Sequence, residues 1–114
     1  MQTDTLFQEY FQTVPETIFE LLGYIPLCRY RFESPVVKAS ERRLDGFLEP
    51  TDAACPYFFV EFQGYYERGF YWRFVQEIAR YHQMRPDLGG KNWQAILLLL
   101  DTAFDPGLET LGPL

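Results

Sequence analysis

Two carboxylates, Asp45 and Glu61, stand in segments whose residue pattern predicts β-strands. Aspartate is normally depleted from strands, and Glu61 lies in the most apolar strand pattern of the first two-thirds of the chain. A buried carboxylate is costly unless it has a partner, a proton or a cation. A divalent cation suits both acids, because Mg²⁺ takes oxygen ligands, accepts one or two carboxylates and keeps several waters.

Gln63 follows Glu61 by two residues, so the two side chains are predicted to point to the same face of a strand. The Gln63 amide can position a water or a phosphate oxygen, but it lacks the positive charge of a lysine. Two acids and an amide suit metal-assisted hydrolysis of a phosphodiester, in which the metal polarises the phosphoryl oxygen and activates a water. Taken without further information, these three residues leave a structural and a functional role about equally open.

The segment from residue 30 to residue 63 must position these residues, because its period of two and its prolines predict strands. We predict strands at Val36–Ser40, with Tyr30 as an alternative start, at Arg43–Leu48 and at Tyr57–Gln63. In the third strand two sets of residues face opposite sides of the sheet, namely Phe58, Val60 and Phe62 against Tyr57, Phe59, Glu61 and Gln63.

Helices are predicted on both sides of these strands. A first helical stretch follows Asp4, is interrupted at Pro15 with Thr13 and Glu16 as a capping box, and ends at Gly23. A second helix is predicted over Glu67–Met84. Its apolar stripe is predicted to contain Phe70, Phe74, Ile78 and Tyr81, with Arg73, Glu77 and Arg80 elsewhere on its surface.

The apolar segment Trp93–Leu100 predicts a strand buried on both faces, in the middle of a sheet and reached by a crossover helix. The tail beyond it is predicted to be loop. The order of elements is then α-β-β-β-α-β, which predicts an α/β (α+β) fold with a mixed central sheet flanked by helices.

Length and composition limit the classes of protein that fit. The 114 residues suffice for one domain, and the net charge of −6 argues against a basic clamp on nucleic acid. No signal peptide or membrane-length apolar run is visible. Cys28 and Cys55 lack metal-like spacing, so we expect two reduced thiols in a cytoplasmic protein that does not associate with a membrane.

An aspartate on the second predicted strand and Glu-x-Gln on the third, within this order of elements, resemble the PD-(D/E)XK nuclease superfamily. More narrowly, the chain resembles the bacterial Rpn-type family of recombination-promoting nucleases and transposases. The resemblance covers most of residues 4–100, and its matching stretches are residues 4–7, Pro15 through Gly23, residues 43–46, residues 60–63 and residues 70–73. It implies a restriction-endonuclease-like core that cleaves DNA with Mg²⁺ or Mn²⁺, connected with a mobile element.

The resemblance also implies a role for each matched position. Asp45 and Glu61 would be the metal-binding carboxylates, and Gln63 would take the place of the lysine of the superfamily. Glu20 matches the helix position from which many relatives supply a further acid, and Glu16 is the alternative at that position.

Three features depart from the family pattern. Residue 44 is leucine, so the proline of the motif's name is absent, and Gln63 removes the charge of the lysine. The chain also ends soon after the core, whereas relatives usually continue with more helix. Residues 1–114 are therefore interpreted as one nuclease core, as a fragment, a truncated copy or a minimal form of the domain.

Structural alternatives stand beside these interpretations. Arg42 and Arg43 could neutralise Asp45 in an ion pair, although that would leave Glu61 unexplained. Charged residues of the second helix are commonly a solvated face, and Arg68 and Arg73 are the candidates for contact with a DNA backbone. A second hypothesis is a truncated, non-catalytic domain that binds a protein partner or forms a homodimer through exposed apolar surface.

Overall fold

The computed structural model describes residues 16–37 and 42–112, which form a mixed α+β fold. Helix α1 spans Glu16–Leu22 and helix α2 spans Phe70–Met84. Short 3₁₀ turns follow at Pro86–Leu88, Thr102–Phe104 and Leu108–Leu111. The strands are β1 (Tyr30–Glu33), β2 (Val36–Val37), β3 (Arg42–Arg43), β4 (Gly46–Pro50), β5 (Tyr57–Gln63) and β6 (Trp93–Leu99). The predicted helical segment behind Asp4, the Thr13 cap and the predicted strand end at Ser40 lie outside the described residues.

Four strands form one mixed sheet in the order β1-β4-β5-β6. Strands β1, β4 and β5 are antiparallel neighbours, whereas β6 runs parallel to β5. Parallel neighbours need a long crossover, and α2 supplies it between β5 and β6. The predicted crossover helix is therefore confirmed. Strand β5 has the predicted bounds, and all seven of its residues are buried.

The two faces of β5 pack against two separate groups of apolar side chains, as its alternation predicts. One face packs with Ile18 and Phe19 of α1. The opposite face packs with the apolar stripe of α2. Burying each large apolar side chain contributes on the order of 1.5–3 kcal/mol, so both helices are held to the sheet mainly by these contacts. The predicted α2 stripe is confirmed by the burial of Phe70, Phe74, Ile78 and Tyr81.

Local signals mark the end of α1 and the beginning of α2. Gly23 has a φ of 68° and follows α1. Its N–H donates to the carbonyl of Glu20, and that of Tyr24 donates to Phe19, which is the pattern of a Schellman motif. Helix α2 begins at Phe70, three residues later than predicted, after Gly69. Within the described ranges neither helix combines the length and the apolar character that crossing a bilayer requires.

The first two predicted strands are only partly correct, because β1 begins at the alternative start, Tyr30, but neither predicted range forms one continuous strand. The strand that enters the main sheet is Tyr30–Glu33, while Val36–Val37 pairs with Arg42–Arg43 in a separate ribbon. Pro35 separates the two pieces, because proline has no N–H to continue a ladder. The second strand of the prediction, Arg43–Leu48, is divided at residues 44 and 45, and β4 begins only at Gly46. Asp45 therefore lies in a bend before a strand and not within one.

Strand β6 forms an edge of the four-stranded sheet in the described part of the chain, which corrects the prediction of a central strand. Its first three residues are exposed, and Leu97, Leu98 and Leu99 are half-buried. A run of apolar residues predicts a strand but does not show how many neighbours the strand has.

The prediction of two reduced thiols is wrong, because Cys28 and Cys55 form a disulfide with a Cα–Cα distance of 6.5 Å. Cys28 follows α1 and Cys55 precedes β5, so the bond joins the two ends of the β1–β4 hairpin. The two cysteines are 27 residues apart in the sequence, so their spacing does not predict the bond, and only the fold brings them together.

Candidate functional site

Asp45 lies beside the carboxyl end of β5. Gly46 pairs with Val60 in the antiparallel ladder, which places the preceding residue, Asp45, opposite Glu61. The Asp45 carboxylate oxygen Oδ2 accepts the backbone N–H of Phe62 at 2.8 Å. This hydrogen bond takes the place of the next ladder bond, so the side chain of Asp45 is fixed against the strand that carries Glu61.

Gly46 allows this close approach. A Cβ atom at this position would lie 2.5 Å from Cε2 of Phe32 and 3.2 Å from Cβ of Val60. Only a residue without a side chain lets β4 pass between these neighbours at that spacing. The glycine next to Asp45 therefore belongs to the structure that positions the acid.

Glu61 and Gln63 lie on the face of β5 that packs against α2. Only 3% of Glu61 and 2% of Gln63 is exposed. The Gln63 amide nitrogen donates to the carbonyl of Tyr65 at 2.9 Å, which fixes the orientation of the amide. Because β6 is parallel to β5, with Leu99 opposite Gln63, these residues stand at the shared carboxyl end of two strands. Open sheets with parallel strands commonly bind ligands at this edge.

A guanidinium from α2 contacts Glu61. Nη1 of Arg73 donates to Oε1 of Glu61 at 2.7 Å and to Oε2 of Glu77 at 3.4 Å. The other side of the guanidinium contacts both carboxylate oxygens of Glu67 at 3.1–3.2 Å. The guanidinium carbon also lies 5.3 Å from the centre of the Phe70 ring. Arg73 is thus anchored by three acids and an aromatic face.

This arrangement corrects the prediction that Arg73 and Glu77 lie away from the packed face of the helix. The side chain of Arg73 is 18% exposed and that of Glu77 is 4% exposed. A signal was present in the sequence, because both residues follow Phe70 at spacings of three and seven, which belong to the same helical face. The charge of the two residues favoured a solvent-facing position, whereas their spacing from Phe70 indicated the helix face that contacts the sheet.

The charges around Glu61 are not balanced among the side chains that the structure describes. The pKa of Glu61 is raised from 4.5 to about 9, first by burial and then by the neighbouring carboxylate of Asp45, while the hydrogen bond from Arg73 opposes both effects. The second carboxylate oxygen, Oε2, is buried and has no hydrogen-bond partner among the described residues. A buried, unpartnered carboxylate oxygen is rare and needs a proton or a cation.

The other predicted residues lie elsewhere. Glu20 is exposed on α1, which packs on the opposite face of the sheet from Glu61 and Gln63. Arg68 is exposed just before α2. The side chains of Arg42 and Arg43 lie outside the described part of the structure, so their predicted pairing with Asp45 stays a prediction.

The chemistry of the donors at this site fits a divalent cation with few protein ligands. The described residues contain no group of three or more His, Cys, Asp and Glu side chains that could hold a metal ion. Asp45 and Glu61 would supply two carboxylates, and Mg²⁺ accepts such a set because it keeps several waters. Among the described residues, the orphaned Oε2 of Glu61 is an atom suited to contact such a cation.

Searches of curated proteins and of solved structures find no match to this chain. One protein family does match, and its description is "Protein of unknown function (DUF2887)". The match covers residues 3–111 and so includes the site and every element that positions it. The chain therefore belongs to the DUF2887 family.

Proposed function

We propose that this protein is a metal-dependent DNA endonuclease of the PD-(D/E)XK type, within the Rpn-like group of recombination-promoting nucleases. The observation that carries the proposal is the unpartnered oxygen Oε2 of Glu61, buried beside the carboxylate of Asp45. A structural ion pair would satisfy its acids, whereas this cluster retains an acceptor that a cation would satisfy.

The order of elements supports the same proposal. Two antiparallel strands, β4 and β5, present Asp45 and Glu61 at one edge, and α2 then crosses to the parallel strand β6. This order resembles that of a restriction-endonuclease-like core, and the resemblance supports the proposal. Gln63 stands where the superfamily has lysine, on the same face of β5 as Glu61.

In this proposal Asp45, Glu61 and Gln63 have different roles in the reaction. Asp45 and Glu61 would hold Mg²⁺ or Mn²⁺, which, when bound, supplies a Lewis acid and lowers the pKa of a bound water. Gln63 would orient a water through its carbonyl oxygen, because one N–H of its amide is held by Tyr65. An amide orients a water without accepting its proton.

The structure also limits how DNA would be held. The guanidinium of Arg73 is engaged by carboxylates, so it does not offer its donors to a phosphate. An open groove of about 600 Å³ runs past Glu67, Trp72 and Arg73 on the outer side of α2. Arg68 is an exposed cation just before α2, and the chain has a net charge of −6, so we propose weak, salt-sensitive binding of the substrate.

The first experiment measures nicking of supercoiled plasmid in Mg²⁺, in Mn²⁺ and in EDTA. Asp45→Asn keeps an oxygen that can accept the N–H of Phe62 but removes the charge, so we expect a folded protein with cleavage reduced by at least about 10³-fold. Asp87→Asn, at an exposed acid near the amino end of β5, is the matched control and should cleave like the wild type. Equal cleavage by Asp45→Asn and the wild type would show that Asp45 is not a ligand.

A second candidate function, a non-catalytic domain that forms a homodimer, is favoured by one observation. Three apolar side chains at and after the end of α1 are strongly exposed, with 64% of Leu21, 87% of Ile25 and 96% of Leu27 accessible. Contiguous exposed apolar surface commonly marks an interface. Light scattering over a range of protein concentrations, with Ile25→Ser beside the wild type, distinguishes a dimer that uses this surface from a monomer.

A further inference from the structure

We propose that Arg73 is a positioning residue that limits Glu61 to one metal-binding oxygen and thereby makes the site prefer Mg²⁺ to Ca²⁺. This inference rests on the proposed function, because it concerns the same pair of acids. It assigns a role to a guanidinium that the resemblance to known nucleases leaves without one.

The first step of the argument is that Arg73 holds one particular oxygen of Glu61. Nη1 of Arg73 donates to Oε1 at 2.7 Å, while Oε2 of the same carboxylate is buried and has no hydrogen-bond partner. The two oxygens are therefore in different states. One is committed to a guanidinium, and the other remains an acceptor for a further ligand.

The second step is that Arg73 is itself fixed. Its Nε and Nη2 atoms contact the carboxylate of Glu67 at 3.1–3.2 Å, and Nη1 also lies 3.4 Å from Glu77. A guanidinium held on both sides cannot follow Glu61 if that side chain turns. Charge-assisted, fork-shaped contacts of this kind are strong and geometrically restrictive. Glu61 is thus prevented from presenting both oxygens to one ion.

The third step is that the two cations differ in what they need. Mg²⁺ requires near-octahedral geometry at about 2.0–2.1 Å and retains much of its water. Ca²⁺ takes roughly six to eight oxygens at about 2.3–2.6 Å and readily uses both oxygens of one carboxylate. A carboxylate with one oxygen blocked supplies enough for Mg²⁺ but deprives Ca²⁺ of a ligand, in a site where few protein ligands are available.

The chain contains a matched control for this arginine. Arg85 also bridges two acids, with Nη2 at 3.0 Å from Glu49 and 2.8 Å from Asp87. Those acids are 25% and 58% exposed, whereas Glu61 is 4% exposed. Removing Arg85 alters a similar ion-pair network at a distance from Asp45 and Glu61, so it tests whether any loss of an arginine changes cation preference.

The experiment is calorimetric titration of the full chain with Mg²⁺ alone and with Ca²⁺ alone, without substrate. We expect Arg73→Gln to raise the ratio of Ca²⁺ affinity to Mg²⁺ affinity by about tenfold, the order found when partners of metal ligands are removed. Loss of the positive charge of Arg73 by itself would raise the affinities for both cations by a similar factor. A change in their ratio therefore reports the loss of the contact that positions Glu61 and not the loss of charge. Arg85→Gln should leave the ratio unchanged.

Arg73→Lys completes the test, because it keeps the charge but cannot contact Glu61 and Glu67 together as a fork does. For Arg73→Lys we expect the ratio of Ca²⁺ affinity to Mg²⁺ affinity to rise less than in Arg73→Gln. If Arg73→Gln does not fold, the result for Arg73→Lys tests the inference in its place. A wild type that binds Mg²⁺, with the same ratio in the Arg73 variants, would overturn this inference and leave the proposed function intact. A folded wild type that binds neither cation would overturn both.

Discussion

The two ends of β5 both contain buried polar groups, but only one end satisfies them. At the amino end the hydroxyl of Tyr57 donates to the carbonyl of Leu88 at 3.2 Å and lies 2.7 Å from Nε2 of His82. Nearby, the hydroxyl of Tyr30 donates to the carbonyl of Pro56 at 2.6 Å. At the carboxyl end, Oε2 of Glu61 has no hydrogen-bond partner.

Arg85 at the amino end of β5 and Arg73 at its carboxyl end differ in how exposed their partner acids are. Arg85 pairs with acids that retain contact with water, whereas Arg73 pairs with Glu61 and Glu77, which are each 4% exposed. Water screens the first network, so an imbalance of charge there costs little. In the second network the same imbalance is buried, where it is stabilised only by a proton or a cation. Burial of polar groups is thus common to both ends, and the unsatisfied acid at the carboxyl end is the feature on which the proposed function rests.

The largest expected effect on stability concerns the pH dependence of unfolding in the metal-free protein. The pKa of Glu61 rises from 4.5 to about 9 on folding, so the folded state keeps a proton that the unfolded state loses. The contribution of Glu61 to stability is therefore fully present below pH 4.5 and is lost, by a few kcal/mol in order of magnitude, as the pH rises to about 9. Glu61→Gln should remove this slope.

Urea denaturation at several pH values, with EDTA present, measures this effect. Glu49→Gln provides the control, because it removes an acid at the amino end whose carboxylate is paired with Arg31 and Arg85. Its slope should follow the wild type. If Glu61→Gln retains the full slope, the buried acid is not the source of the pH dependence and the contrast between the two ends is lost.

An intermediate effect is expected at Gly46, whose backbone places Asp45 at the carboxyl end. In Gly46→Ala the new methyl group would meet the Phe32 ring, so we expect destabilisation of about 1–3 kcal/mol. Gly64→Ala is the control, because a Cβ atom there has nothing within 4 Å. Denaturant unfolding compares the two variants, and equal stabilities would show that β4 can shift without cost.

The smallest effect is expected at the satisfied end. Tyr57→Phe removes a hydroxyl that contacts both His82 and Leu88, so we expect a loss of about 1 kcal/mol in the free energy of unfolding. Tyr65→Phe, at a side chain that is 61% exposed, should change stability by less than about 0.5 kcal/mol. A Tyr57→Phe variant as stable as the wild type would mean that its hydrogen bonds contribute nothing net.

Much of the architecture around β5 could be predicted from the sequence. The apolar run that follows Pro56 predicted the strand Tyr57–Gln63, the period of two predicted its faces, and the apolar stripe of α2 predicted the helix that covers it. The crossover followed from the order of elements. The closeness of Asp45 to Glu61 also followed, because adjacent strands carry them, although Asp45 proved to lie in a bend.

Three features could not be predicted from the sequence, because each depends on which residues or strands the fold brings together. Arg73 and Glu61 are 12 positions apart in the sequence. A charged residue on a helix usually faces solvent, whereas Arg73 faces the sheet and contacts Glu61. Apolar residues in β6 predicted burial, but burial on both faces depends on a neighbouring strand that the sequence pattern does not reveal. The Cys28–Cys55 bond likewise follows from the fold and not from spacing.

The uncharged edge at β6 has a consequence for how copies of the protein behave in concentrated solution. Strand β6 contains no charged residue, whereas β1 at the opposite edge contains Arg31 and Glu33. Charges on an edge strand oppose pairing between sheets. In the part of the chain that the structure describes, β6 has no such charges, so we expect colloidal repulsion between whole molecules, which carry a charge of −6 at neutral pH, to oppose pairing there. Near the isoelectric point of about 4.7 the repulsion disappears, and strand pairing should then initiate precipitation.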